Sequence, residues 1–277
     1  MSKNIESYPY ESSYAEQLHL SDLLREPLFR SLIKSLKLPE GSRGLDIGCG
    51  TGSNTLILAD AVGISGHVVG IDLSSELLSY AGRRAYKADF PQRVSFLKCD
   101  MARPAFGDNT FDWVWSADCA GYAPGDSVSL IKNLAGLVKP GGRVFVLAWS
   151  SQQLLPGYPC LEARLNMTSA GIAPFTERQS PQSHILRASG WFQNAGLKDI
   201  IACTFVGDIQ APLGKEKRKA VASLFEMRWG KSGPELTERE RMEYRRLCTI
   251  DSPDFIADNP DYYAFFTYTL FCGRTLG

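Results

Sequence analysis

Gly44-Leu45-Asp46-Ile47-Gly48-Cys49-Gly50-Thr51-Gly52 is the stretch whose reading decides the fold. An apolar run enters it from Arg43, three glycines alternate through it, and a helix-like segment leaves it. That succession predicts a strand, a tight loop and a helix start. Glycines in such a loop allow positive φ and let the backbone approach a ligand closely. The helix N-terminus that follows presents unpaired N–H groups to an anionic or polar ligand. The dinucleotide fingerprint is G-x-G-x-x-G. Here the spacing is G-x-G-x-G, Ser53 stands where the third dinucleotide glycine would be, and Asp46 lies two residues before the first glycine.

Working outward, apolar and polar segments alternate. Strands are expected over 43–47, 66–72, 94–97, 111–116 and 143–149, with helices over 51–62, 74–87 and 128–138 between them. Ser74 or Ser75 and Asp126 are natural caps for two of these helices. Lys139-Pro140-Gly141-Gly142 stops the third helix before an almost wholly apolar strand, the signature of a parallel strand buried on both faces. Such alternation predicts an α/β sheet with right-handed crossovers, its ligand site at the carboxyl ends of the strands. Upstream, apolar residues from Leu20 to Leu36 recur at helical spacing, and Pro27 is expected to divide them into two helices. Residues 1–13 are polar and read as a loosely anchored lead-in. Downstream, a helix over 184–195, a sixth strand over 197–206, charged helices over 215–231 and 236–247 and a last strand over 263–273 complete the chain.

The D-x-G-x-G-x-G pattern resembles motif I of the class I S-adenosylmethionine-dependent methyltransferases. Asp72, twenty residues after Gly52, resembles the acidic residue that ends the second strand of that family and takes the ribose hydroxyls. Asp100-Met101 resembles the pair beside the adenine, and Ser116-Ala117-Asp118 the end of the fourth strand. The resemblance implies a Rossmann-like, seven-stranded, mostly parallel sheet with helices on both faces and an antiparallel last strand. It implies S-adenosylmethionine as cofactor and S-adenosylhomocysteine as product. The cofactor-binding residues so implied are Asp46, Gly48, Cys49, Gly50, Gly52, Asp72, Leu73, Asp100, Met101 and Ala117. Methyl transfer is an in-line displacement in which the protein mainly aligns the reactants and excludes water. A general base is needed only for an acceptor that must lose a proton. His184 and Asp118 are the catalytic candidates, and Tyr14, His19, Tyr122 and Trp149 are candidate walls of an acceptor pocket.

The organisation expected is N-terminal helices over 1–40 covering the site, a cofactor core over 41–150 and an insertion over 151–182. Residues 183–206 and 263–277 complete the sheet, and 207–262 form a second, helical insertion. Connections this long are usually functional. With the N-terminal helices they are read as lids roofing a pocket for a small organic acceptor, so removing 207–262 should abolish methyl transfer.

Composition narrows the partners. Of 277 residues, 44% are hydrophobic and 22% charged, enough for a substantial core. Thirty basic and thirty acidic side chains cancel, so no global charge draws the chain to nucleic acid. Ala117-Asp118-Cys119-Ala120 also lacks the Asn/Asp-Pro-Pro-Tyr/Phe pattern of enzymes that methylate nucleobase amines. The basic clusters at 215–219 and 239–246 are interleaved with glutamates, as on solvated helix faces. The longest apolar stretch, 262–273, is too short to cross a bilayer, and the N-terminus lacks a signal-peptide pattern. Seven scattered cysteines without C-x-x-C read as reduced, buried thiols of a cytoplasmic protein and not as a metal site. Competing readings are a binding protein of the same fold without turnover, an RNA-directed methyltransferase, and a NAD-dependent oxidoreductase.

Overall fold

The structure is a computed structural model that describes residues 13–88, 92–176 and 180–277. The polar lead-in lies outside the described residues up to residue 12. Seven strands form one sheet in the order β3-β2-β1-β4-β5-β7-β6. They are β1 (Arg43–Ile47), β2 (His67–Asp72), β3 (Val94–Lys98), β4 (Phe111–Ala117), β5 (Val138–Gln153), β6 (Lys198–Gln210) and β7 (Tyr263–Arg274). Strands β1 to β5 run parallel, and β7 lies antiparallel between β5 and β6. The order reverses at β1 and β4, which opens a crevice beyond their carboxyl ends.

Helices cover both faces. Against one face pack α1 (Ser13–Ser35), α2 (Ser53–Ala61), α8 (Lys215–Trp229) and α9 (Glu238–Cys248), whose apolar residues share a buried cluster with Trp113, Trp115, Phe145 and Tyr268 of the strands. Against the other pack α4 (Ser127–Gly136) and α7 (Ala188–Asn194), with Leu130, Ile131, Leu134, Trp191 and Phe192 on Val114, Val144 and Val146. The helix α3 (Ser75–Lys87) is capped by Ser74, whose hydroxyl accepts from the Leu77 N–H, and α4 by Asp126. Short helices α5 (Pro159–Asn166) and α6 (Ser169–Ile172) lie in the connection after β5.

Several expectations change. Pro27 does not divide the N-terminal segment, because α1 runs unbroken through it. An internal proline costs about 3 kcal/mol of helix stability. Burial of Leu24, Leu28, Phe29, Leu32 and Ile33 outweighs that cost. The segment from His184 is not one helix: a 3-10 turn over Ile185–Arg187 precedes α7. Strand β5 is longer at both ends than read, with its register on β4 broken between Val138 and Arg143 by the glycine turn. Strand β6 reaches Gln210, so the second insertion begins at 211. The cysteines are all free, but Cys160 and Cys203 are exposed, not buried.

The insertion over 211–262 is part of the core. Val221, Leu224, Phe225 and Trp229 of α8 are buried, and α8 packs along α1. Phe225 stacks on Trp229 with ring centroids 5.7 Å apart. The Trp229 indole N–H donates to Asn166 Oδ1 at 2.9 Å, tying the second insertion to the first.

Candidate functional site

Two cavities open beside the carboxyl ends of the central strands. The first, of about 320 Å³, is lined by Gly48, Cys49, Gly50 and Thr51 after β1, by Asp72, Leu73 and Ser74 after β2, and by Ala117, Asp118 and Cys119 after β4. Tyr14, Leu18, Asp22 and Arg25 of α1 close it from the side. Gly48 and Gly50 take φ of +69° and +52°, the left-handed region that side chains avoid. A Cβ on Gly48 would collide with the Cys119 side chain, so glycine is also required there for the loop to pack on the β4 turn. Gly52 lies behind the loop, where a Cβ would come 2.8 Å from Ala81 of α3.

Asp72 organises this loop. Its Oδ2 accepts from the Gly50 N–H at 3.0 Å and its Oδ1 from the Ser74 N–H at 2.9 Å. One carboxylate therefore joins the β1 and β2 turns and still faces the cavity with unused lone pairs. Asp46 lies beneath the loop and does not line the cavity. It is 1% exposed and accepts from the Thr55 hydroxyl at 2.6 Å. Burial, against the bond from Thr55 and aided by the charge of Asp72, pushes its carboxyl up to about 7. Asp100 accepts from the Ala102 N–H at 2.8 Å, and Met101 Sδ lies 3.6 Å from Cys119 Sγ; neither residue lines the cavity. His19 faces Tyr80 of α3, ring centroids 6.1 Å apart, and lines neither cavity.

Asp118 occupies the boundary, in a left-handed conformation with φ +51°. Its carboxylate accepts from Tyr268 at 2.6 Å, Arg25 Nη1 at 3.1 Å and the Trp149 N–H at 3.0 Å. Three donors from α1, β5 and β7 hold it in place and take three of its about four acceptor sites. Arg25 also pairs with Asp22, which accepts from Arg84 and Thr51 in turn.

The second cavity, of about 490 Å³, is lined by Tyr122, Trp149, Ser151, Gln152, Asn166, Ile172, Phe175, His184, Ile185 and Arg228 among others. Both volumes fall within the about 300–1,000 Å³ usual for small-molecule pockets. Tyr122 and Trp149 are common to its wall and to the Asp118 boundary. The Tyr122 hydroxyl donates to the Trp149 carbonyl at 3.1 Å, while the Trp149 N–H donates to Asp118. Burial and the nearby charge of Asp118 push the Tyr122 hydroxyl well up. His184 stacks on Phe175 with centroids 4.5 Å apart, and its Nδ1 accepts from the Leu186 N–H at 3.2 Å. A neutral ring that accepts at Nδ1 carries its proton on Nε2, so it offers the cavity a donor and no lone pair.

Neither thiol at the first cavity is a nucleophile at neutral pH. Burial, then the charges of Asp46 and Asp72, push Cys49 far up; burial and Asp72 push Cys119 up to about 12. Among the described residues no group of three or more His, Cys, Asp or Glu could hold a metal ion. No described helix is long and apolar enough to cross a membrane.

Sequence reading missed Leu18, Asp22 and Arg25, which reach the first cavity from a helix remote in the chain, and Arg228, which reaches the second from an insertion. None sits in a motif. The only signal in the sequence was the helical periodicity of the segments that carry them.

The left-handed glycine loop, the carboxylate that braces it and the concave volume in front of them fit the nucleoside and amino-acid ends of S-adenosylmethionine. Comparison with known proteins agrees. The methyltransferase domain family matches residues 45–142. A demethylmenaquinone methyltransferase of Bacillus licheniformis is 34% identical over 190 residues, 64% of this chain and 79% of that protein. A 27-O-demethylrifamycin SV methyltransferase of Amycolatopsis mediterranei is 34% identical over 156 residues, 55% of each. The fold is that of a SAM-dependent methyltransferase from Aquifex aeolicus, with a TM-score of 0.52 at 16% identity over 95% of this chain and 99% of the other. The chain thus belongs to the class I S-adenosylmethionine-dependent methyltransferases, with S-adenosylmethionine as its cofactor.

Proposed function

We propose that the enzyme methylates a small organic acceptor held in the cavity of about 490 Å³, with the cofactor in the glycine-loop cavity beside it. The observation that carries this reading is the shared wall. Trp149 donates its N–H to Asp118 at the cofactor cavity and accepts from Tyr122 in the acceptor cavity. The two relatives named above are both methyltransferases named for small organic molecules, which supports an acceptor of that size.

When bound, S-adenosylmethionine supplies a methyl group activated by a positively charged sulfur. The chain's own residues do the rest. Asp72 takes the ribose hydroxyls with the lone pairs left by Gly50 and Ser74. The backbone from Gly48 to Thr51 and Leu73 hold the nucleoside against the loop, and Ala117 bounds the methionine end. Asp46 acts from behind this wall by fixing the turn that carries it, while Asp100, exposed, braces the turn after β3 and Met101 packs against Cys119. Tyr14 and Leu18 of α1 cover the cavity and exclude water. Asp118, held by three donors, fixes α1 and β7 to the end of β4 and so sets the approach of acceptor to donor. With Asp118 engaged and His184 presenting a donor, alignment is the main catalytic contribution.

The test is turnover with a panel of small aromatic and polyketide-like acceptors, read as S-adenosylhomocysteine release. The expected result is acceptor-dependent release that Ile172→Trp, which fills the second cavity, suppresses through a raised KM while cofactor binding stays intact. Cofactor binding without release for any acceptor would favour a binding protein of this fold. Unchanged kinetics in the filled variant would move the acceptor elsewhere.

A further inference from the structure

We propose that the acceptor cavity selects a flat, conjugated molecule bearing an anionic oxygen group, and that Arg228 is the residue that recognises it. The inference rests on the acceptor cavity of the proposed function. Arg228 is supplied by the last turn of α8, within the 211–262 insertion, and lines the cavity. Its guanidinium lies over the Trp149 ring, 5.7 Å from the centroid. Nη2 donates to the Gly171 carbonyl at 3.1 Å, and the buried Nε has no hydrogen-bond partner. Among the described residues no carboxylate forms an ion pair with it.

The neighbouring cations are treated differently. Arg25 pairs with Asp22 and Asp118, and Arg84 with Asp22. The acid whose charge reaches Arg228 is Asp118, and it is already held by Arg25, Tyr268 and the Trp149 N–H. A half-buried cation without a counter-ion is costly, and a bound anion relieves that cost. Burial holds the Arg228 pKa below its ordinary value, as expected for a charge that lacks its partner.

The surroundings define the rest of the ligand. The Trp149 indole N–H and Gln152 Oε1, on two other residues of the wall, are buried with no hydrogen-bond partner. Gln152 Nε2 donates to Asn166 Oδ1 at 3.0 Å, which leaves its oxygen as the open atom. Behind the wall, Arg228 and Trp149 thus keep buried donors, and Gln152 a buried acceptor, that the protein itself leaves unfilled. In the same lining Phe175 meets Tyr122 edge-on at 5.4 Å and stacks on His184, giving an aromatic surface for a planar scaffold. Among the described residues of the lining, a cationic acceptor would meet Arg228 and no acidic partner for itself.

The probes are 4-hydroxybenzoate and 4-hydroxycinnamate with their neutral amides, titrated calorimetrically into the enzyme saturated with S-adenosylhomocysteine. In the wild-type enzyme each acid should bind about tenfold or more tightly than its amide, since a site built for a charged hydrogen-bonding group rejects its neutral analogue. Arg228→Gln should remove that preference, and Arg228→Lys should keep part of it. Affinity for S-adenosylhomocysteine, bound in the other cavity, should be the same in all three proteins, which reports that the variants are folded. Equal binding of acid and amide, no saturable binding of either acid, or a preference that survives in Arg228→Gln overturns the inference. Each of these leaves the methyl-transfer reading standing, because that reading fails on absent S-adenosylhomocysteine release.

Discussion

Asp72 and Asp46 are two carboxylates of the same loop with opposite environments. Asp72 receives two backbone N–H groups and faces the cavity, so its removal loosens the turns and, on the proposed reading, deletes the ribose partner together. Asp72→Ala should weaken S-adenosylmethionine binding by about 10- to 100-fold, the range of hydrogen bonds to a charged group. Calorimetry measures it, and unchanged affinity would remove Asp72 from the cofactor site. Asp46 is buried behind the loop, and its folded-state carboxyl is raised to about 7. Between its ordinary acidity near pH 4 and pH 7 the folded chain keeps a proton that the unfolded chain has released. Stability from this group therefore falls as pH rises through that window and levels off above about 7. Thermal unfolding from pH 5 to 8 should show Asp46→Asn gaining about 2 °C or more on the wild type across the window, whereas parallel curves would contradict the raised carboxyl.

Among the elements, α8 departs most from its sequence reading. Its charge pattern, Lys215 to Lys219 followed by apolar residues, suggested a solvated lid helix. In the structure the apolar face of α8 is sealed against α1 and the strands, and only the charged face is outside. Trp229→Ala should cost about 3–5 kcal/mol of stability, as for other large core truncations. It also frees Asn166, the hydrogen-bond partner of Gln152. Denaturant unfolding checks this, and a loss below about 1 kcal/mol would mean that α8 is only a cover. Helix α9 is legible in its first residues. Thr237 and Glu240 form a reciprocal capping box, with the Thr237 N–H donating to Glu240 at 2.7 Å. Strand β7 was legible as a strand from its β-branched and aromatic run, but its antiparallel sense came only from the family resemblance. A run buried on both faces has no local mark of direction.

For the whole molecule, the shared core changes what the insertion is expected to do. One buried cluster joins α1, α2, α8 and α9 to the central strands. Deleting 211–262 should therefore unfold the protein and not merely silence it. Circular dichroism should show loss of cooperative unfolding in the truncated chain. A folded truncation that still binds S-adenosylhomocysteine would separate the insertion from the core. The same coupling would let an insertion carry the proposed specificity, because Arg228 is positioned by the packing of α8 on the core.

The sequence by itself determined the sheet alternation, the cofactor and most of the cofactor turn. Those properties follow from short patterns: glycine spacing permits the left-handed loop, and once β1 and β2 pair in parallel Asp72 falls beside Gly50. The cavity lining, the engagement of Asp118 and the isolation of Arg228 were decided only in three dimensions. Whether a carboxylate is free or a cation unpaired depends on partners such as Arg25, Tyr268 and Trp149, which lie 31 to 150 residues from Asp118 in the chain. Long-range burial sets the cost of a charge, and no pattern of neighbours along the chain records it.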